Sequence, residues 1–114
     1  MPRDDAILLD IVNAARLIQT FIQDLTKEAF LLDLKTQSAV LHQVMVIGEA
    51  VKRLSQGFRR RHPVLPWPLI AGMRDHLIHS YDAIDLEEVW KTASHDVPEV
   101  LVKLEPLVPR QQGG

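Results

Sequence analysis

The 114-residue sequence contains no cysteine, which excludes a disulfide framework, a thiolate metal site, an iron–sulfur cluster and a cysteine nucleophile. No apolar run approaches the roughly 20 residues that a membrane-spanning helix needs, and the acids Asp4 and Asp5 occupy the place where a signal peptide has bases. We therefore expect a protein of the reducing cytoplasm with no membrane association. The formal net charge of -2 argues against nucleic-acid binding by bulk charge, so any such binding must depend on a local patch.

Cationic residues lie close together in the middle of the chain, with no acid between Lys52 and Arg61. Two interpretations stay open at this point. The cluster is either a solvated helix end, where cations complement the helix dipole, or a local patch that holds nucleic-acid phosphates. Its members are Lys52, Arg53, Arg59, Arg60 and Arg61.

Apolar side chains recur every three or four residues along most of the sequence, and this spacing predicts helices. We expect them at about 4–24, 27–32, 36–55, 67–78 and 85–107, with a kink or a restart of the helix near Asp96 because Pro98 interrupts the last pattern. Asp85 and Glu88 have capping-box spacing at the start of the 85–107 helix. No stretch alternates between apolar and polar residues, the period of two typical of strands, for long enough to predict a sheet. The predicted fold is an all-α bundle of four or five helices, with residues 1–108 as one domain and 109–114 as a flexible tail.

Glycine and proline predict where these helices end. Gly57 is expected to end the 36–55 helix, and the prolines at 63, 66 and 68 predict a stiff connector over 59–68. Gly48 and Gly72 lie inside helical patterns, where each costs about 1 kcal/mol relative to alanine. We expect the close approach of a neighbouring helix to compensate for that cost at both positions.

Ionisable side chains crowd into the segment that ends the 67–78 helix, from Arg74 to Asp82. On a continuous helix Arg74 and His79 would lie about 140° apart around the axis, and His79 and Tyr81 about 160° apart. They converge only if the helix ends near residues 78–80 and leaves His79 and Tyr81 on the following turn. Arginine offers a fork of donors to phosphoryl oxygens, and histidine titrates near neutral pH, as acid–base catalysis requires. The segment is therefore a candidate phosphate site.

Purely structural roles would account for the same residues. Arg74 could pair with Asp75 or with Glu49, and Glu49 is expected to be a buried acid in a salt bridge with an arginine. His79 could complement the dipole of a helix end, and Tyr81 could be an aromatic at the edge of the core. Spacing alone does not decide between these roles and the phosphate site.

His76 and His79 are three residues apart, which would suit two metal ligands on a helix. No third ligand is evident in the sequence, and His76 is better explained as a surface residue. We therefore predict no metal site.

The spacing Arg74-x-x-x-x-His79-x-Tyr81 resembles the signature of the HEPN superfamily, and specifically of the HepT-like toxins of prokaryotic toxin–antitoxin pairs. In that family a polar residue follows the arginine, and Asp75 matches it. Pro68 departs from the pattern, which has a charged or polar residue there, but proline suits the first turn of a helix. Further blocks that resemble the family occur in the family's order and cover nearly the whole chain, at residues 36–40, 47–54, 66–67, 70–75 and 85–90.

The resemblance implies an endoribonuclease that needs neither metal nor cofactor, in which the RNA 2′-hydroxyl attacks the adjacent phosphate. His79 would act as acid or base, Arg74 would stabilise the charge on the phosphoryl oxygens, and Asp75 and Glu49 would support the site. It also implies a homodimer of HEPN-type bundles, formed by helix–helix packing, whose two motifs face a shared groove. The Lys52–Arg61 cluster would line that groove and hold RNA phosphates.

A protein partner is implied as well. In the family, a minimal nucleotidyltransferase adds AMP to the motif tyrosine and silences the toxin, and Tyr81 is that position and the only tyrosine of this chain. An alternative function stays open, in which the chain is a non-catalytic helical module that dimerises and binds the nucleotidyltransferase. The presence of Arg74, His79 and Tyr81 together favours the nuclease.

Overall fold

The chain begins with a long helix, α1 (Arg3–Ile22), followed by a short helix, α2 (Lys27–Leu31), and a second long helix, α3 (Leu34–Arg53). In the computed structural model, which describes residues 3–80 and 82–109, α1 and α3 pack along each other. Their apolar stripes face each other because each repeats at the helical period. This pair is the centre of the fold.

The next helices pack on α3 or follow directly from it. Two residues separate α3 from α4 (Gln56–Arg61), and a short irregular stretch then leads to α5 (Trp67–Ala71) and α6 (Met73–Leu77). Helices α5 and α6 form one interrupted helical segment that lies against α3. This segment carries the candidate site.

A small antiparallel sheet and a last helical segment follow. Strand β1 (Ile78–Ser80) pairs with β2 (Ala83–Ile84), with Ile78 opposite Ile84. The sequence did not predict these strands because two or three residues are too few to show a period of two. The last segment packs on α1 and consists of α7 (Leu86–Lys91), a π-helical turn (Thr92–Asp96), α8 (Val97–Leu104) and a 3₁₀ turn (Glu105–Leu107).

The predicted all-α class is confirmed, and the main helical segments lie where the apolar periodicity placed them. The irregularity expected near Asp96 is the π-helical turn, which ends where α8 begins. Pro98 lies in the first turn of α8, immediately after the π-helical turn. Asp85 caps α7 as its spacing predicted, because its carboxylate accepts from the Glu88 backbone N–H at 3.2 Å.

The prediction for Gly57 is wrong. Helix α3 ends at Arg53, since Leu54 adopts extended backbone, and Gly57 lies inside α4. Helix α4 begins after Ser55, whose side chain caps it, and continues to Arg61. The predicted 59–68 connector is therefore shorter, because its first three residues are helical.

Gly72 interrupts the predicted 67–78 helix, since it ends α5 and precedes α6. A Cβ added there would meet the Pro68 carbonyl oxygen of the same segment at 3.4 Å, which is an ordinary contact. The close interhelical approach predicted for Gly72 is therefore wrong. Its place is at the junction of two short helices.

Buried apolar side chains from all the main helical segments meet in one core. Phe30 of α2 is fully buried, and its ring centroid lies 5.3 Å from that of Trp90 in α7. Gln37 is buried as well, and its side-chain amide donates to the Phe30 carbonyl oxygen at 3.0 Å, which satisfies a polar group inside the core. Other fully buried side chains are Leu8, Ile11, Ile18, Val40, Val44, Val51, Ile70, Leu77 and Leu104.

The start of α3 is fixed by the carboxylate of Asp33. It accepts from the Thr36 hydroxyl at 2.7 Å and from the Thr36 backbone N–H at 3.0 Å. These two hydrogen bonds, the side-chain one above all, hold the pKa of the Asp33 carboxyl below its usual value of 3.8.

Helix α4 is held at both ends by side chains of residues that lie outside it. At its start, the Asp4 carboxylate accepts from the Ser55 backbone N–H at 2.9 Å and from the Ser55 hydroxyl at 2.6 Å. At its other end, the Trp67 indole N–H donates to the carbonyl oxygens of Arg59, at 3.2 Å, and His62, at 2.9 Å.

None of the helices that the structure describes is both long and apolar enough to cross a membrane. The predicted flexible tail, 109–114, lies outside the described residues except for its first residue.

Candidate functional site

Arg74 and Asp75 lie side by side near the start of α6. The Arg74 Nη1 atom is 3.1 Å from the Asp75 Oδ1 atom, so one of the structural pairings left open by the sequence is formed. The Arg74 side chain is nevertheless 48% exposed. A guanidinium carries five N–H donors, and this single contact leaves most of them available to an anion.

A cavity of about 380 Å³ lies between α3 and the α5–α6 segment. Arg74 and Asp75 line it from one side, and Glu49 and Lys52 line it from the other. The Lys52 Nζ atom is 3.6 Å from the Glu49 Oε1 atom, and the Lys52 side chain is 54% exposed. Two cations therefore border one open space, each with a carboxylate beside it. This arrangement can hold an anionic group such as a phosphate between the lysine and the arginine.

Glu49 was expected to be a buried acid paired with an arginine, and this prediction is wrong. Its side chain is 69% exposed and its partner is Lys52. The reason is its place on α3: Ile47 and Val51 face the core, whereas residue 49 faces the open cavity.

Gly48 brings the two sides of the cavity together. A Cβ added at this buried position would lie 3.0 Å from the Ala71 carbonyl oxygen and 3.8 Å from its carbon. The close helix approach that the sequence predicted for Gly48 is therefore confirmed. It is this contact between α3 and α5 that holds Lys52 and Arg74 beside one cavity.

His79 lies apart from this cavity within the chain. Helix α6 ends at Leu77, about where the site hypothesis requires, but residue 79 then lies on β1 rather than on a turn. The histidine is exposed and does not line the cavity that contains Arg74. Tyr81, the predicted modification site, lies outside the described residues.

The cationic cluster is divided among three places. Lys52 borders the Arg74 cavity, whereas Arg53 lines a groove between α1 and α3. Arg59 and Arg60 lie beside the start of α5, and the Arg61 guanidinium carbon lies 5.9 Å from the centre of the Phe58 ring. Lys52 is the member of the cluster that the structure places beside Arg74.

The His76 side chain is 70% exposed, and its Nε2 atom is 3.8 Å from the Glu88 Oε2 atom. Within residues 3–80 and 82–109, no group of three or more histidine, aspartate and glutamate side chains is arranged to hold a metal ion.

Sequence reasoning missed Met45 and Ala71 as lining residues of the Arg74 cavity. Met45 was recoverable, because residues 45, 49 and 52 follow each other at steps of four and three and so share one face of a helix. Ala71 had no such signal, since its position depends on how α5 packs against Gly48.

Comparison with known proteins gave a consistent result. A family model described as "Ribonuclease HepT-like" matches residues 11–107. The chain is 44% identical over 100 residues to "Probable ribonuclease HepT" of Thermococcus cleftensis, an alignment that covers 88% of this chain and 91% of that protein. It is 39% identical over 115 residues to a protein of Methanocaldococcus jannaschii that is provisionally named an RNase, an alignment that covers 99% of this chain and 95% of that protein. No solved structure gives a significant match.

Proposed function

Because the chain belongs to the HepT-like ribonuclease family, we propose that it is an endoribonuclease that cleaves RNA with Arg74 and His79. The observation that carries this proposal is the cavity in which Lys52 and a half-exposed Arg74 border the same space. A phosphodiester between them would receive hydrogen bonds from the guanidinium and a second positive charge from the lysine.

The cleavage uses the RNA's own 2′-hydroxyl. Its oxygen forms a bond to the adjacent phosphorus while the bond from phosphorus to the following 5′-oxygen breaks, which yields a cyclic phosphate and a free 5′-hydroxyl. The attacking hydroxyl loses a proton and the leaving oxygen gains one, so two proton transfers balance the step. His79 performs one transfer and Arg74 stabilises the charge on the phosphoryl oxygens, with no metal ion required.

A second proton-transfer group would come from a second copy of the chain. The groove between α1 and α3 carries two partly exposed apolar side chains, Leu17 at 42% and Met45 at 41%. Met45 and Glu49 line both this groove and the Arg74 cavity. A copy bound on the groove would therefore reach the site, so the proposal includes a homodimer in which each His79 can serve a phosphate held by the partner subunit.

Control of the enzyme is assigned to Tyr81 on the strength of the family resemblance. A nucleotidyltransferase partner would add AMP to this tyrosine, two residues after His79. The added phosphate would compete for Arg74 with the phosphate of RNA, and cleavage would stop.

The test of catalysis is cleavage of RNA by Arg74→Ala and His79→Ala. Each variant should lose about 10²–10⁴-fold in rate, since one removes a charge-stabilising donor and the other a proton-transfer group. Matched controls are Arg16→Ala and His95→Ala. Both residues are exposed and lie away from the cavity, and each is close to one glutamate, Arg16 to Glu105 and His95 to Glu99. The controls should cleave at the wild-type rate, and a chelator should leave the wild-type rate unchanged.

Cleavage by both Arg74→Ala and His79→Ala at the control rate would reject the nuclease proposal and favour the non-catalytic module. Light scattering should give a dimer mass for the wild type and a monomer mass for Met45→Arg, and a wild-type monomer would reject the shared site. Mass spectrometry after incubation with the nucleotidyltransferase and ATP should find AMP on Tyr81. Continued modification of Tyr81→Phe would reject that assignment.

A further inference from the structure

A second cavity, the α4–α5 cavity, lies between the two helices for which it is named. Its volume is about 340 Å³, at the lower end of the range of roughly 300–1,000 Å³ that is usual for small-molecule sites. It has no lining residue in common with the cavity that contains Arg74. Its lining residues are Gln56, Arg59 and Arg60 of α4 and Trp67 and Pro68 of α5.

The two cavities follow each other along α5. Pro68 lines the α4–α5 cavity and Ala71 lines the Arg74 cavity. Residues three apart on a helix share one face, and they are separated by about 4.5 Å along the axis. The α4–α5 cavity therefore lies where the next unit of a chain-like ligand would arrive if that ligand continued from the Arg74 cavity along α5.

The charges of the α4–α5 cavity select an anion. Two guanidinium groups line it and no carboxylate does, and an arginine keeps its charge at any physiological pH. Among the described residues neither Arg59 nor Arg60 forms an ion pair. The Arg60 Nη2 atom donates to the Gln56 Oε1 atom at 3.4 Å, which leaves its other donors available. Asp4 is not a lining residue, and its oxygens accept from Ser55.

The other wall of this cavity is formed by two ring side chains. Trp67 is 5% exposed, whereas Pro68 is exposed and presents the surface of its ring. Flat ring surfaces beside arginines are typical of sites that hold an unpaired nucleic-acid base. Pro68 is also the position at which the sequence departs from the charged or polar residue of the HEPN pattern, so this wall is a feature of the present chain.

We propose that the α4–α5 cavity is a subsite for one nucleotide of single-stranded RNA, next to the nucleotide that is cleaved. Arg59 and Arg60 hold its phosphate, and its base packs on the Pro68 ring. The bases of double-stranded RNA are paired and stacked, so they do not enter such a cavity. The proposal rests on the proposed nuclease function, which it extends by naming single-stranded RNA as the substrate class.

The test measures binding without cleavage. The probe is an octanucleotide of 2′-O-methyl adenosine, which lacks the attacking hydroxyl, and the comparison probes are the same backbone without bases and free AMP. NMR follows the Trp67 indole N–H and the Nε–H groups of Arg59, Arg60 and Arg74. The octanucleotide should shift all four signals with a Kd of about 1–100 µM. The base-free backbone should bind about 3- to 10-fold more weakly and lose the Trp67 shift, and AMP should bind more weakly still.

Arginine variants on α4 separate a defined site from general charge. Arg60→Gln should weaken the octanucleotide about 3- to 10-fold, and should lower the slope of log Kd against log salt concentration by up to about 0.7, the value of one phosphate contact. Arg61→Gln removes the same charge from the next residue. The Arg61 guanidinium lies 5.9 Å from the centre of the Phe58 ring and does not line the cavity, so Kd should change by less than about 2-fold. Arg60 is exposed, so its substitution keeps the fold.

A second pair of variants adds a charge instead of removing one. Pro68→Glu places a carboxylate in the cavity and should weaken the octanucleotide about 3- to 10-fold, because it repels the phosphate. Residue 68 lies in the first turn of α5, where a glutamate suits the helix dipole. Val64→Glu is the matched control, since it adds the same charge at a 74% exposed position outside the cavity, and it should weaken binding by less than about 2-fold.

Three results would overturn the proposal. Equal weakening by Arg60→Gln and Arg61→Gln would show general attraction by charge. Equal binding of the base-free backbone, with the Trp67 shift retained, would show phosphate contact without a place for a base. Binding of AMP as tight as that of the octanucleotide would assign the cavity to a free nucleotide. Failure of the nuclease function is seen separately, in the cleavage rates of Arg74→Ala and His79→Ala, and none of these binding measurements depends on cleavage.

Discussion

Gly48 allows a direct test of how the cavity beside Arg74 is built. In Gly48→Ala the new Cβ would lie 3.0 Å from the Ala71 carbonyl oxygen, so the backbone of α5 must move by a few tenths of an ångström. Alanine gains about 1 kcal/mol of helix propensity, whereas overpacking of this kind costs about 1–3 kcal/mol. The expected net result is a loss of about 0–2 kcal/mol in the free energy of unfolding.

Gly57→Ala is the matched control. The added Cβ would meet the Arg61 and Ser55 side chains at 3.5 and 3.9 Å, which are ordinary contacts, so the helix-propensity gain of about 0.5–1 kcal/mol remains. The two variants should therefore differ by about 0.5–3 kcal/mol in urea denaturation, or by about 2–12 °C in Tm for a chain of this length. The displacement of α5 should also lower the rate of RNA cleavage by Gly48→Ala.

Equal stabilisation of Gly48→Ala and Gly57→Ala would refute this reasoning. It would mean that α5 yields at no cost and that close packing at Gly48 does not position Arg74. Full retention of cleavage in a destabilised Gly48→Ala would separate the two effects, and would limit the role of Gly48 to stability.

Three further predictions concern stability. Phe30→Ala should cost about 3–5 kcal/mol in urea denaturation, because a fully buried ring that contacts Trp90 is lost. Asp85→Ala should lower the free energy of unfolding by about 1 kcal/mol, since the α7 cap is lost. Thermal denaturation should therefore show a smaller drop in Tm for Asp85→Ala than for Phe30→Ala. Hydrogen bonds from Ser55 hold the pKa of Asp4 below its usual value of 3.8, so the stabilisation is full above that pH and is lost as the pH falls through the lowered pKa. The Tm difference between wild type and Asp4→Ala should therefore be largest at neutral pH and should narrow in acid.

Local signals were enough to predict much of the helical framework. The Asp85 cap and its partner Glu88 are three residues apart, so the start of α7 is readable without knowledge of the fold. The end of α3 is different, because Ser55 is held by Asp4, which is 51 positions away. Gly57 offered the usual helix-ending signal, and this distant contact overrode it.

In the candidate site, too, some features could be predicted from the local sequence, whereas others depend on how distant elements pack. The spacing of Arg74 and His79 was visible in the sequence, and Lys52 was visible as part of a cationic cluster. That Lys52 rather than Arg59 borders the Arg74 cavity follows from the packing of α3 on α5 at Gly48, which no local pattern encodes. The exposure of Glu49 follows from that packing as well, because the contact between α3 and α5 leaves a cavity open and residue 49 faces this cavity.

The double hydrogen bond from the Trp67 indole makes this residue a fluorescent reporter of α4. The indole is 5% exposed, and its N–H is held by the carbonyl oxygens of Arg59 and His62, so detachment of the arginine-bearing helix would expose it to water. The chain has two tryptophans, and Trp90→Phe leaves Trp67 alone. In that variant, a red shift of the emission at denaturant concentrations below global unfolding would measure the local opening of α4 directly. Added RNA that binds the arginines of α4 should move this opening to higher denaturant concentration.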